Sequence, residues 1–118
     1  MSRNRKSAER RGRIGEAVAA LYLQLQGWRI VARRVRTPLG EVDLIARRAR
    51  TTLFVEVKTR ATRAELDFAI DQHRLSRVAS AASLLASRIA RPGDDMRVDV
   101  ILLAPWSRPR HIRNAWMG

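Results

Sequence analysis

Asp43, Glu56 and Lys58 are charged residues set into apolar, strand-forming runs. The segment 53–59 reads Leu-Phe-Val-Glu-Val-Lys-Thr, and five of its seven residues favour strands. Residues two apart on a strand point to the same face, so Glu56 and Lys58 stand side by side, roughly 6–7 Å apart at the backbone. Asp43 lies 13 residues before Glu56, in the run Glu41-Val42-Asp43-Leu44-Ile45-Ala46-Arg47. If Arg48 to Arg50 form a basic hairpin turn, 42–47 pairs antiparallel with 51–58. Asp43 and Glu56 then become near neighbours on one sheet face. Two carboxylates that close repel, and one stays protonated unless a cation neutralises them. A hard divalent ion such as Mg²⁺ takes oxygen ligands and keeps several waters. A lysine beside such an ion can orient a bound water and help remove its proton. That combination suits phosphodiester hydrolysis. A solvated sheet face with a plain Glu56–Lys58 pair is the competing structural account.

Composition favours the chemical reading. The 118 residues hold 24 Lys plus Arg against 11 Asp plus Glu, a net charge of +13, and the isoelectric point is near 11.8. Such a balance points to a polyanionic partner, nucleic acid above all, DNA or RNA alike. Only Lys6 and Lys58 are lysines, so the other 22 basic residues are arginines. Arginine forks onto phosphate, whereas only lysine shifts its pKa readily on burial. A lone lysine on a strand therefore looks chosen for its chemistry. The chain has no cysteine, which excludes disulfides, thiol catalysis and thiolate metal sites. No apolar run approaches the 18 residues of a membrane span, and the basic start lacks the apolar region of a secretory signal. A cytoplasmic location is the default expectation, with no membrane partner.

The elements that must position these residues can be read in order. Residues 1–11 are basic and aperiodic, and are expected to be a disordered arm ahead of one domain at 12–118. Gly12 to Gln26 reads as helix. Ile14, Val18, Leu21 and Leu25 form its main apolar stripe, and Ala19, Ala20 and Leu23 form a smaller one that includes Glu16. Apolar on two sides, it should be covered on both, and Gly27 ends it. Strands follow at 28–36, 41–47 and 53–59, the first two joined by a turn at Thr37-Pro38-Leu39-Gly40. Val42 and Leu44 are expected to face one way, and Glu41, Asp43 and Ile45 the other. Residues 65–90 form a long helix through Leu66, Ile70, Leu75, Val78, Ala82, Leu85 and Ile89, stopped by Arg91-Pro92-Gly93. Residues 97–104 are almost continuously apolar, as in a strand covered on both faces, and 110–116 can add an edge strand. This order predicts an α/β fold with a mixed central sheet flanked by helices. Arg47, Arg48, Arg50, Arg60 and Arg74 are the candidate nucleic-acid contacts.

Three stretches carry a family resemblance. Gly-Arg-Ile-Gly-Glu-Ala-Val-Ala at 12–19, Gly-Glu-Val-Asp-Leu-Ile-Ala at 40–46 and Phe-Val-Glu-Val-Lys-Thr-Arg at 54–60 resemble the YraN-like uncharacterised bacterial family, uncharacterised protein family 0102. That family is placed in the PD-(D/E)XK nuclease superfamily, with a restriction-endonuclease-like fold, and looks closest to Holliday-junction resolvases. The resemblance runs from about Gly12 to the C-terminus. It implies a Mg²⁺- or Mn²⁺-dependent endonuclease acting on structured or branched DNA, and a homodimer is the matching expectation, since two strands must be cut. It implies that Asp43, Glu56 and the Val57 carbonyl bind metal, that Lys58 is the lysine of the Glu-x-Lys pair, and that Glu16 on the first helix completes the site. It suggests a lysine near Arg74, where this chain has arginine, and Gln72 can stand for a glutamine of some relatives. A non-catalytic nucleic-acid-binding module on the same fold is the alternative, and a basic RNA- or ribosome-associated protein a further one.

Other candidates are weaker. His73 and His111 lack metal-ligand spacing. Glu41 shares the face of Asp43. Asp94 and Asp95 read as loop acids balancing arginines, and Asp71 as a helix-surface acid. Trp28, Trp106 and Trp116 suit packing better than base stacking.

Overall fold

A computed structural model describes residues 2–62 and 72–116, with side chains described from residue 12. Helix α1 spans Ser2–Leu25, and strands β1 Arg29–Thr37, β2 Gly40–Arg48 and β3 Thr51–Thr59 follow. Helix α2 spans Gln72–Ile89, and β4 Asp95–Leu103 and β5 Arg110–Ile112 complete the order. The five strands form one sheet in the order β1-β2-β3-β4-β5. Neighbours are antiparallel except β3 and β4, which run parallel. A parallel pair needs a crossover, and the segment containing α2 supplies it. The fold is therefore α/β with a mixed sheet, as expected, and the short β5 is the extra edge strand. Leu66, Ile70 and Asp71, assigned from sequence to the long helix, lie outside the described residues.

The helices cover opposite faces of the sheet. On the α2 side, Leu75, Val78, Ala81, Ala82 and Leu85 pack on Ile45, Phe54, Val98, Val100 and Leu102. On the α1 side, Ala19, Ala20 and Leu23 pack on Leu44, Ala46, Leu53, Val55 and Ile101. Strand β3 is thus central and covered on both faces, which is why its sequence is apolar at successive positions.

Three local features depart from the sequence reading. First, α1 takes in the backbone of residues 2–11, the segment expected to be a disordered arm. Arg, Lys, Glu and Ala are good helix formers, and a missing apolar period does not oppose helix. Second, α1 turns its smaller apolar face to the sheet and leaves Ile14, Val18, Leu21 and Leu25 exposed. The alanine face wins because the helix lies close to the strands. At Gly15 a Cβ would come within 2.2 Å of the Thr59 Cγ2. Third, Val42 joins the α2-side core while Leu44 joins the α1-side core. They do not share a face, because the β2–β3 ladder ends at Leu44 with Val55 and β2 leaves the regular pleat beyond it.

The termini of α1 and α2 follow familiar rules. Gly27, at φ +91°, closes α1 with bonds from the Trp28 amide to the Leu23 carbonyl and from the Gly27 amide to the Gln24 carbonyl, both 3.0 Å. After α2, Gly93 has φ +85°, and the Asp94 carboxylate accepts the Arg91 amide at 2.8 Å. Among the described residues no helix is long and apolar enough to cross a membrane.

Candidate functional site

Asp43 and Glu56 reach the site from adjacent strands. Val57 precedes Lys58 on β3, and its amide donates to Asp43 Oδ2 at 2.7 Å. This bond ties the Asp43 carboxylate to the central strand beside Glu56. Asp43 and Glu56 line one cleft of about 350 Å³, together with Glu41 of β2 and with His73, Arg74, Arg77 and Val78 of α2. One wall is therefore acidic and the other basic. Gly40 makes that closeness possible: a Cβ there would lie 2.6 Å from the Arg77 carbonyl oxygen. The glycine lets the α2 backbone approach β2 and brings Arg74 and Arg77 over the acids.

Burial and charge shape the ionisation of this cluster. The Asp43 carboxyl is pushed up from 3.8 to about 6. Burial is the main cause, the Val57 amide opposes it, and the carboxylates of Glu16, Glu56 and Glu41 add to it. Glu56 is buried and accepts two cations on the same oxygen: Arg74 Nε at 2.6 Å and Lys58 Nζ at 3.2 Å. The Lys58 ammonium is itself buried. Burial lowers its pKa, Arg74 and Arg60 push the same way, and Glu56 resists. A buried lysine so placed is a better proton acceptor than a surface one.

Glu16 is on α1, across the sheet edge from α2. It forms an ion pair with Arg34 Nε at 2.5 Å, yet it is near enough to Asp43 to raise its pKa. Glu16, Arg34 and Glu41 line a second cleft, and Glu41 borders both. Arg34 has φ +51°, and the β1–β2 ladder keeps one register on both sides of it, from Arg33 with Leu44 to Val35 with Val42. The left-handed backbone is the local irregularity at this position. The sequence reading missed Arg34, as it missed Arg77, and passed over His73. Arg77 could have been found from its place one turn after Arg74 on the same helix face. Nothing in the sequence marks a left-handed residue at 34.

The remaining candidates scatter. Arg74 is in the cleft. Arg47 and Arg48 are at the hairpin end of β2, about 15 Å along the strand from Asp43. Arg47 pairs with Asp94 at 2.6 Å and is largely buried. Arg48 donates to the Gln26 carbonyl at 2.9 Å and lies over the Trp28 ring at 4.3 Å. Arg50 is exposed in the same turn. Arg60 follows β3 and donates to its neighbour, the Thr59 carbonyl. Gln72 is exposed at the first turn of α2. His111 is bound to buried Asp99 at 2.6 Å and is not among the residues lining the Asp43–Glu56 cleft. Trp28 is buried, Trp116 packs against the core, and Trp106 is fully exposed.

The donor set suits a hard divalent ion in a limited way. Among the described residues, no three acids or imidazoles converge as a ready metal site. Asp43, Glu56 and Glu41 do share the cleft, and Mg²⁺ is commonly held by one or two carboxylates plus waters. Burial is the main cause of the raised Asp43 pKa, and the carboxylate crowding that adds to it is what a cation would relieve. Arg74, which bonds Glu56, is 61% exposed at its side chain.

Comparison with known proteins agrees with the motifs. Residues 15–103, which contain Glu16, Asp43, Glu56, Lys58, Arg74 and Arg77, match the family described as uncharacterised protein family UPF0102. The chain is similar to a UPF0102 protein of Erythrobacter litoralis, 62% identical over 95% of this chain and 97% of the relative. It is also similar to those of Sphingopyxis alaskensis, at 59% over the same shares, and Rhizorhabdus wittichii, at 56% over 97% of each. The chain belongs to the uncharacterised protein family UPF0102.

Proposed function

We propose that the protein is a metal-dependent endonuclease that hydrolyses nucleic-acid phosphodiesters, with structured or branched DNA as its substrate. The observation that supports this best is the shared cleft of Asp43 and Glu56, facing Arg74 and Arg77, with Lys58 bound to Glu56. Asp43, Glu56 and the Val57 carbonyl are the groups that would hold Mg²⁺ or Mn²⁺. When bound, the ion supplies Lewis acidity at the phosphate and lowers the pKa of a bound water. Lys58 orients the attacking water and, as the neutral amine that its burial favours, takes its proton. Arg74 and Arg77 bind the phosphate oxygens, which Arg does in a bidentate way. Glu16 sets the charge around Asp43. The resemblance of the Gly-Glu-Val-Asp and Glu-Val-Lys stretches to the PD-(D/E)XK superfamily adds to this reading, as does the net charge of +13.

A second reading has its own observation. Glu56 is already satisfied by Lys58 and Arg74, which suits a nucleic-acid-binding module that keeps the acids as structural pairs. Calorimetric titration of Mn²⁺ into wild type, Asp43→Ala and Glu56→Ala separates the two. The endonuclease reading expects binding by wild type alone, and metal-dependent nicking of branched, single-stranded or duplex DNA that Asp43→Ala abolishes. Equal metal responses in all three proteins, with no nicking of any substrate, would establish the binding module. In both cases affinity for DNA should fall steeply with salt, since arginines displace condensed counterions.

A further inference from the structure

The face of α1 turned away from the sheet is an apolar surface. Ile14, Val18, Leu21 and Leu25 are 57%, 43%, 56% and 80% exposed. Their spacing of four, three and four residues is the a/d pattern of a heptad, the seam along which two helices pack at a shallow angle. Ala17 and Gln24, beside the seam, are exposed and uncharged. Between Arg13 and Arg29 the chain has one charged residue, Glu16, and it pairs with Arg34. A +13 chain thus keeps one face free of charge over three helical turns, which is the wrong surface for a polyanion. An apolar groove of about 510 Å³ continues the seam, lined by Ile14, Val18, Leu103, Pro105 and Pro109 among others. Trp106, fully exposed at φ +60°, stands on the loop at the rim of that groove.

We infer that a second copy of the chain docks on this face, with its α1 antiparallel to the first. Three features choose this occupant. The surface is self-complementary, as a two-fold interface requires: a seam meets the same seam, and each copy offers both an aromatic knob and an apolar groove. The helix dipole favours one direction. Helix α1 has no basic residue in its last turn, where the helix dipole is negative. An antiparallel copy sets Ile14 against the other Leu25 and brings exposed Arg13 to that end, joining Arg48, which already bonds the Gln26 carbonyl there. A parallel copy would instead place Arg13 against Arg13, with no helix C-terminus there to offset the two cations. The area is also adequate. Four partly exposed aliphatic side chains and one tryptophan bury roughly 500 Å² per copy, most of the ~800 Å² per partner of a stable interface, before the groove is counted. The inference stands apart from the nuclease reading, since it needs neither metal nor nucleic acid.

Analytical ultracentrifugation of the full chain in high salt, without metal or nucleic acid, tests it. Wild type should sediment as a dimer. Leu21→Glu should weaken association on the order of 100-fold or more, and Trp106→Ala should weaken it too. All these side chains are exposed, so folding is not at issue, and unchanged circular dichroism would confirm that. Direction is read by crosslinking, because the chain has no cysteine of its own. Ile14→Cys mixed with Leu25→Cys should form a disulfide under oxidation, whereas neither variant alone should do so. A wild type that stays monomeric at the highest attainable concentration would overturn the inference. So would a dimer indifferent to Leu21→Glu, or self-crosslinking of each single variant. A monomer that pellets with phosphatidylserine vesicles, and loses that with Leu21→Glu, would reassign the face to a lipid surface.

Discussion

The Asp43 carboxylate accepts the Val57 amide hydrogen at 2.7 Å, one step beyond the last rung of the β2–β3 ladder at Leu44 and Val55. The side chain replaces a backbone acceptor just where β2 leaves the pleat. A carboxylate anchored in this way cannot drift from Glu56, whose backbone precedes Val57. The same anchoring holds it in a partly buried position among other acids, and its pKa rises to about 6.

The first prediction follows from that rise. A folded-state pKa above the ordinary 3.8 means that folding favours the protonated acid. Its stabilising contribution is full below pH 3.8 and is lost as pH rises through about 6. Asp43→Asn keeps an acceptor for Val57 without the charge. In metal-free buffer it should therefore gain about 1–3 kcal/mol near pH 7.5 and gain little near pH 4. Urea unfolding at the two pH values measures this. An equal effect at both would remove the electrostatic account of the site.

Much of this arrangement is legible in sequence because it is local. Asp43 and Glu56 come together through one hairpin, and the alternation in β3 places Glu56 and Lys58 on one face. The continuous apolar run 98–103 announces a doubly covered strand. What was not legible depends on distant packing. The α1 stripe richest in Ile and Leu faces water, because contact with the sheet was decided by smallness at Gly15, Ala19 and Ala20. Val42 parts from Leu44 because the ladder breaks at Asp43. Arg77 and Arg34 reach the acids through the placement of α2 over Gly40 and through a left-handed backbone in β1, neither of which has a sequence period.

The contact at Gly15 gives the second prediction. Ala is ordinarily better than Gly inside a helix by about 1 kcal/mol. Here a Cβ would meet the Thr59 Cγ2 at 2.2 Å, so Gly15→Ala should destabilise by about 1–3 kcal/mol instead. Thr59→Ser deletes that methyl. The double variant should recover most of the loss, a coupling that thermal unfolding of the four proteins in the cycle would read. Additive effects would mean that α1 is not held at this distance by the glycine.

The third prediction uses an aspartate of the opposite sign. Asp99 is fully buried and accepts from Arg97 at 3.0 and 2.9 Å, from His111 at 2.6 Å and from the Asn114 amide at 2.8 Å. Burial alone would raise its pKa, but these bonds together outweigh it and hold the carboxyl below 3.8. Its contribution is therefore present above pH 3.8 and is lost as pH falls through the folded-state value. Asp99→Asn should cost about 2–4 kcal/mol at neutral pH, since Arg97 and His111 lose their shared anion. The gap to wild type should close in strong acid. Denaturant midpoints across that range test it, and a gap that persists at low pH would point to packing rather than charge.

The last prediction concerns Lys58, where binding and chemistry can be separated. Its ammonium is buried beside Glu56, and burial lowers its pKa. Lys58→Arg preserves the charge, so nucleic-acid affinity and its salt slope should stay near wild type. A guanidinium cannot accept a proton at accessible pH. If Lys58 takes the proton of the attacking water, cleavage should fall by about 10²–10⁴-fold, the usual cost of a lost acid–base group. Metal affinity should change little, because Asp43 and Glu56 remain. Single-turnover cleavage, filter binding and metal titration on the same preparation read the three quantities independently. Unchanged cleavage would reduce Lys58 to an electrostatic anchor for Glu56. A parallel loss of metal binding would show that the larger side chain had displaced Glu56, and Lys58→Met, which removes charge without adding bulk, would then decide whether the proton acceptor or the shape of the cleft is at stake.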